Sequence, residues 1–178
     1  MTTTPTNSHS RFTFALLLWL LTLGCANSSV PPEGTSVTGA SGGCGHFTAY
    51  RFNQARTLAV VLRVDEDQIE LSDEPTEIVL GPKATGVEVE VYQFGQPAGE
   101  YFCDDVGGDP EPIAKWTVTG GSVSISRTAG KPPAHLSNAT HKISAVLRNM
   151  TITHTTTGAT AHFGDVNIES VWVGWIPG

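Results

Sequence analysis

The chain has 178 residues, with 10 Lys plus Arg against 17 Asp plus Glu and a formal net charge of −7. It carries no basic stripe to neutralise a phosphate backbone, which excludes nucleic acid as a partner and, on the same ground, direct attraction to anionic lipid. The length fits a single folded domain behind a short leader.

Residues 1–10 are polar and belong to that leader. Phe12 to Leu23 is a twelve-residue apolar run interrupted by Thr13 and Thr22, whereas a helix needs roughly 20 to cross a hydrocarbon core of about 30 Å. Arg11 before the run and small residues after it give the layout of a secretory signal peptide. Leu21-Thr22-Leu23-Gly24-Cys25 resembles the lipobox of bacterial lipoproteins, in which a cysteine directly after a small residue is acylated and becomes the first residue of the mature chain. The match departs from the family pattern at Thr22, where leucine is usual, and at Leu23, where a small residue is usual. The resemblance implies a signal peptide over residues 1–24 and a diacylglycerol on Cys25, and more than one acyl chain makes a stable membrane anchor. With Ala26 rather than Asp after Cys25, it further implies the outer membrane of a two-membrane bacterium. Ordinary secretion is the alternative.

Ala26 to Gly43 is rich in Ser, Gly, Pro and Thr. Having almost nothing to bury, it cannot offset the entropy of ordering itself, so residues 25–43 read as a lipidated cysteine and a disordered tether. Cys44 to Gly178, 135 residues, forms the domain. If lipid occupies Cys25, Cys44 and Cys103 remain as a pair in an oxidising compartment, where an even count points to a disulfide. A metal site or a catalytic thiol are the rival readings of those two cysteines.

Strand patterns run through the domain. They fall at Phe47–Phe52, Thr57–Val64, Gln68–Leu71, Glu77–Leu80, Val87–Val91, Tyr101–Asp104, Lys142–Thr153, Thr160–Phe163 and Asp165–Trp175. Thr57–Val64 is continuous and β-branched, as a strand buried on both faces would be, while Val87-Glu88-Val89-Glu90-Val91 alternates like a strand with one wet face. Trp116–Thr119, Gly120-Gly121 and Ser122–Ile125 have the pattern of a hairpin with a two-residue turn, in which Val118 faces Val123 and Trp116 faces Ile125. In the Lys142–Thr153 segment the apolar phase slips by one residue, which predicts a β-bulge near Arg148-Asn149. With no helix-length amphipathic segment, the predicted fold is all-β: a single disulfide-stapled β-sandwich, with a closed barrel as the alternative.

Four groups of residues are candidates for chemistry. Asp104, Asp105 and Asp109 lie on a Gly- and Pro-containing loop and offer the hard oxygen ligands that calcium takes, although the spacing is not that of an EF-hand. Asp65-Glu66-Asp67 and Asp73-Glu74 read as charges that flank strand ends and keep edges from pairing. A turn at Thr157-Gly158-Ala159 would set His154 across from His162, two possible ligands for zinc or copper. Trp172 and Trp175 near the C-terminus offer rings for stacking on a sugar or anchoring a protein partner. The plainer readings are a solvated loop, a hydrogen-bonded histidine pair and core aromatics.

No nucleophile elbow, H-E-x-x-H or phosphate loop is present. The sequence therefore points to a lipid-anchored cell-envelope protein acting as a binding or structural-interaction module toward a protein or glycan. A calcium- or zinc-binding surface domain and, more remotely, an extracytoplasmic hydrolase are the alternatives.

Overall fold

The structure, a computed structural model, describes residues 36–99, 101–103 and 110–174. They form β1 (Ser41–Cys44), β2 (Thr48–Phe52), β3 (Leu58–Val64), β4 (Thr76–Val79), β5 (Val87–Phe94), β6 (Pro112–Ala129), β7 (His141–His154), β8 (Thr160–Phe163) and β9 (Val166–Val173), with one 3-10 turn at Ala134–Leu136. The fold is all-β: one nine-stranded antiparallel sheet that is bent rather than closed into a barrel.

The bend lies in β6 and β7. These strands pair along the whole of β7, from Trp116 opposite His154 to Ala129 opposite His141. The first half of β6 pairs with β5 and the second half with β4. Likewise the second half of β7 pairs with β8 and the first half with β9. Two sandwich-like layers, β1-β2-β3-β5-β6-β7-β8 and β4-β6-β7-β9, thus share two strands. Between them lies the main core, which joins Leu58, Val60 and Leu62 from one layer to Ile143, Ala145, Ile168 and Val171 from the other.

The expected hairpin at Gly120-Gly121 is not formed, because those glycines sit inside one 18-residue strand. What pairs with both flanking segments is β7, and the register shifts on either side of Gly120. Gly121 has φ of +109° and Asn149, across from it, φ of +50°. Both strands therefore slip phase at the same level. Trp116 and Val118 before the slip, and Val123 and Ile125 after it, all turn toward the core. The bulge expected near Arg148-Asn149 is present, and Gly121 is its counterpart.

Three further differences concern short segments. Gln68–Leu71 forms a turn and bend rather than a strand, because the Asp65 carboxylate accepts from the backbone N–H of Asp67 at 3.1 Å and from the Gln68 amide. Residues 101–103 form a turn held by Cys103 rather than a strand. Ser41–Gly43, expected in the tether, forms most of β1, and Val37 is buried in the core. A Ser-Gly-Gly strand has no apolar alternation to betray it.

β3 is buried on both faces, as its composition requires. Leu58, Val60 and Leu62 enter the main core, and Ala59 and Val61 enter a second cluster with Phe52, Tyr92, Phe94 and Ala98 on the outer face. Tyr101 and Phe102 pack on that cluster.

A Cβ at residue 121 would lie 2.6 Å from the Arg148 carbonyl oxygen, at a φ that disfavours any side chain. Gly121→Ala is therefore expected to cost roughly 1–3 kcal/mol or more by chemical denaturation. Gly164→Ala, where a Cβ meets nothing within 4 Å, should be near neutral. Equal effects at the two positions would contradict the bend.

Candidate functional site

Cys44 and Cys103 are joined in a disulfide with Cα atoms 5.8 Å apart. Because Cys44 ends β1, the bridge pulls the 101–103 segment across the outer face of the first layer. There Phe102 packs against Tyr50 at 5.2 Å, Phe52 at 5.7 Å and Tyr92 at 5.2 Å. The cross-link thus supports the aromatic cluster as well as restricting the unfolded chain, where closing a loop of this length is worth about 4 kcal/mol in the chain-entropy account.

Beside this cluster a groove of about 590 Å³ runs over the place where β1 meets β9. Gly42 and Gly43 of β1, Tyr50 of β2, and Glu169, Ser170 and Trp172 of β9 line it, and Cys103 and the 3-10 turn, through His135 and Leu136, complete its walls. The floor is tight. A Cβ on Gly43 would lie 2.8 Å from the Trp172 carbonyl oxygen, so only glycine permits this approach of the two backbones. One end is fastened by Gly174 N–H donating to the Gly45 carbonyl at 2.7 Å. Further along, the Arg51 guanidinium donates to the Asn167 carbonyl.

β9 itself is irregular here. Ile143 pairs with Val171 and Ala145 with Ile168, so Glu169 and Ser170 together oppose Ser144. Ser170 has φ of +52° and donates its N–H to the Ser144 hydroxyl at 3.1 Å. This bulge lifts a carboxylate and a hydroxyl out of the ladder into the groove. The Asn167 amide holds the Glu169 carboxylate at 2.6 Å. Trp172 is half-buried, and the Lys142 ammonium sits over its ring 5.1 Å from the centroid.

Of the other sequence-predicted residues, His154 and His162 are described and are not brought together. His162 pairs with Thr151, while His154 donates its backbone N–H to the Ala159 carbonyl. The turn is longer than the expected Thr157-Gly158-Ala159, so the two histidines lie on opposite faces of the sheet. His154 Nδ1 accepts from the N–H groups of Thr156 and Thr157 at 3.1 and 3.2 Å, and its ring meets Trp116 edge-on. Among the described residues no three His, Cys, Asp or Glu side chains converge as metal ligands. Cys25, Asp104, Asp105, Asp109 and Trp175 lie outside the described residues.

Two buried ionisable groups escaped sequence reasoning. Glu90, expected on a wet face, is 4% exposed. It accepts from Lys115 Nζ at 2.5 Å, Arg63 Nη1 at 2.6 Å and the Tyr92 hydroxyl at 2.6 Å. Burial acts to raise its pKa, but the hydrogen bonds from Lys115, Tyr92 and Arg63 outweigh it and hold the carboxyl below its usual range. Alternation of Val and Glu gave no sign of this, because the cations come from strands whose register is a tertiary property.

The second is His141, 3% exposed. Its Nδ1 shares a hydrogen bond with the Thr140 hydroxyl at 2.7 Å, and the Phe47 ring lies 6.1 Å away. Its Nε2 is buried without a hydrogen-bond partner, 3.5 Å from Glu66 Oε1. The same carboxylate oxygen binds Arg127 at 3.0 Å. Burial, and then the charge of Arg127, lower the pKa of His141 against the opposing pull of Glu66. The Asp65-Glu66-Asp67 run thus supplies a turn cap and a partner for Arg127, which is more specific than guarding a strand edge.

No known protein family, curated protein or solved structure matches this chain.

Both buried groups make acid destabilising. The unfolded histidine takes a proton near its ordinary value of about 6.5, above that of folded His141, so stability should fall as pH drops below that value. The contribution of Glu90 is present above the unfolded carboxylate value of about 4.3 and is lost as pH falls further, toward its depressed folded value. Thermal melts should show Tm falling in these two windows, and His141→Phe should flatten the upper one alone. An unchanged slope between pH 7 and 5 in His141→Phe would contradict the buried neutral imidazole.

Proposed function

We propose that this chain is a lipid-anchored cell-envelope protein that works as a binding module, with the β1/β9 groove as its recognition surface. The groove carries this reading. It combines two aromatic side chains, a carboxylate, a hydroxyl and an imidazole in one concavity, the mix of apolar surface and a few directed polar groups that ligand sites use. Glu169 and Ser170 stand out of the β9 ladder, Ser170 at a positive φ that costs free energy, and such irregularities concentrate where a protein meets a ligand.

Two features support an envelope location. The lipobox-like stretch ending in Cys25 supplies an anchor without a spanning helix, and the Cys44–Cys103 disulfide requires an oxidising compartment to form and persist. Tethered in this way, the domain would present its groove at the membrane surface through a short polar segment.

Expression in a two-membrane bacterium with a radiolabelled fatty acid tests the anchor. The wild-type chain is expected to carry label and to fractionate with the outer membrane. Cys25→Ser should lose the label and appear in the soluble envelope fraction. Retention of Cys25→Ser in the membrane, or wild-type protein without label, would contradict the lipid anchor.

A further inference from the structure

We infer that the β1/β9 groove binds the ring of a neutral sugar. The inference rests on the reading of this groove as the recognition surface, and it names the ligand class.

The first consideration is what the floor refuses. An added peptide strand needs neighbouring strands about 4.8 Å to either side. Here Gly43 and the Trp172 carbonyl already approach too closely to admit even a methyl group between them without a shift. The seam is fastened by the bond from Gly174 to Gly45 and by Arg51 on Asn167. The groove therefore offers side chains to its ligand rather than a strand edge, and recognition by β-strand addition does not fit.

The second is what the side chains offer. Tyr50 is held edge-on to Phe52 with centroids 5.5 Å apart and tilted against Phe102 at 5.2 Å. Trp172 is held beneath Lys142. Both rings are fixed before any ligand arrives, so little conformational entropy is lost on binding. A pyranose presents an apolar face of C–H groups to such rings and hydroxyls around its rim. The polar groups of the groove suit that rim: the Glu169 carboxylate accepts, the Ser170 hydroxyl donates and accepts, and the His135 ring does one or the other at each nitrogen.

The third is charge. Glu169, the one carboxylate among the described residues that line the groove, on a chain of net charge −7, disfavours uronates and sulfated sugars, since like charge at close range is costly. Neutral hexopyranoses are the class that satisfies all three conditions.

The test titrates the full chain, solubilised in detergent, with soluble neutral oligosaccharides of glucose, mannose, galactose and N-acetylglucosamine, with polygalacturonate, and with a library of soluble peptides. Calorimetry and tryptophan fluorescence report binding. At least one neutral series is expected to bind, and Trp172→Ala and Tyr50→Ala should each weaken it by about tenfold or more. Glu169→Ala, at an exposed position that folding tolerates, guards against a variant that fails to fold and should weaken binding as well. Sugar binding unchanged in all three variants overturns the site. Tighter binding of polygalacturonate than of every neutral series overturns the ligand class. Peptides that bind, and lose affinity with Trp172→Ala while no sugar binds, overturn the sugar but leave the binding module standing. No binding by any probe overturns both.

Discussion

The pairing of β6 with β7 is the contact on which everything else rests. These two strands are the only elements among the described residues that belong to both layers, and each layer is completed by partners that take one half of each strand. If the two strands ran straight, their outer partners would diverge and the apolar face would stay open to water. The coincident slip at Gly121 and Asn149 keeps the apolar side chains facing inward while the strand direction changes. Trp116, Ile125, Ile143 and Ile152, all at 0–1% exposure, are the reward, and burying each such side chain is worth about 1.5–3 kcal/mol. The groove follows from the same bend, since it brings β9 of one layer onto β1 of the other.

Around that frame the first layer is thickened on its outer side. Tyr101 and Phe102 pack on the cluster of Phe52, Val61, Tyr92 and Phe94, and the disulfide at Cys103 fastens them there covalently. Next to it, Glu90 with Lys115 and Arg63 continues the cover in ionic form. The Lys115 ammonium lies 5.1 Å from the Tyr92 ring centroid, so the ionic and aromatic parts interlock. A carboxylate this buried is tolerable only because three donors reach it. Its role is to close the outer face where apolar cover ends.

Much of this was legible in the residues. The double-sided burial of β3 showed in its continuous apolar stretch from Leu58 to Leu62, β8 stands where its pattern put it, and the phase slip in β7 announced its bulge. The same slip is written in β6, since Trp116 and Val118 are even and Val123 and Ile125 are odd. Two glycines at that point also spell a hairpin, and local sequence cannot tell a turn from a bulge. What decides is the partner strand, more than 20 residues downstream. The groove was half legible: Trp172 stood out as a recognition residue, but Tyr50 read as part of a strand and Gly42-Gly43 read as tether. Glu169 and Ser170 gave no signal, because a bulge in β9 depends on its register with β7. Glu90 and His141 were hidden for a related reason, as their partners come from other strands and loops.

Amide hydrogen exchange across β6 tests the shared-strand account most directly. If β6 is one strand bent within a single cooperative sheet, the amides of Val118 and Val123, on either side of Gly121, should exchange with the same opening free energy, that of global unfolding. If the Val123 side opens at a clearly lower free energy, with β4 and β9 following it, the two layers are separate units, and the bend does not hold them together.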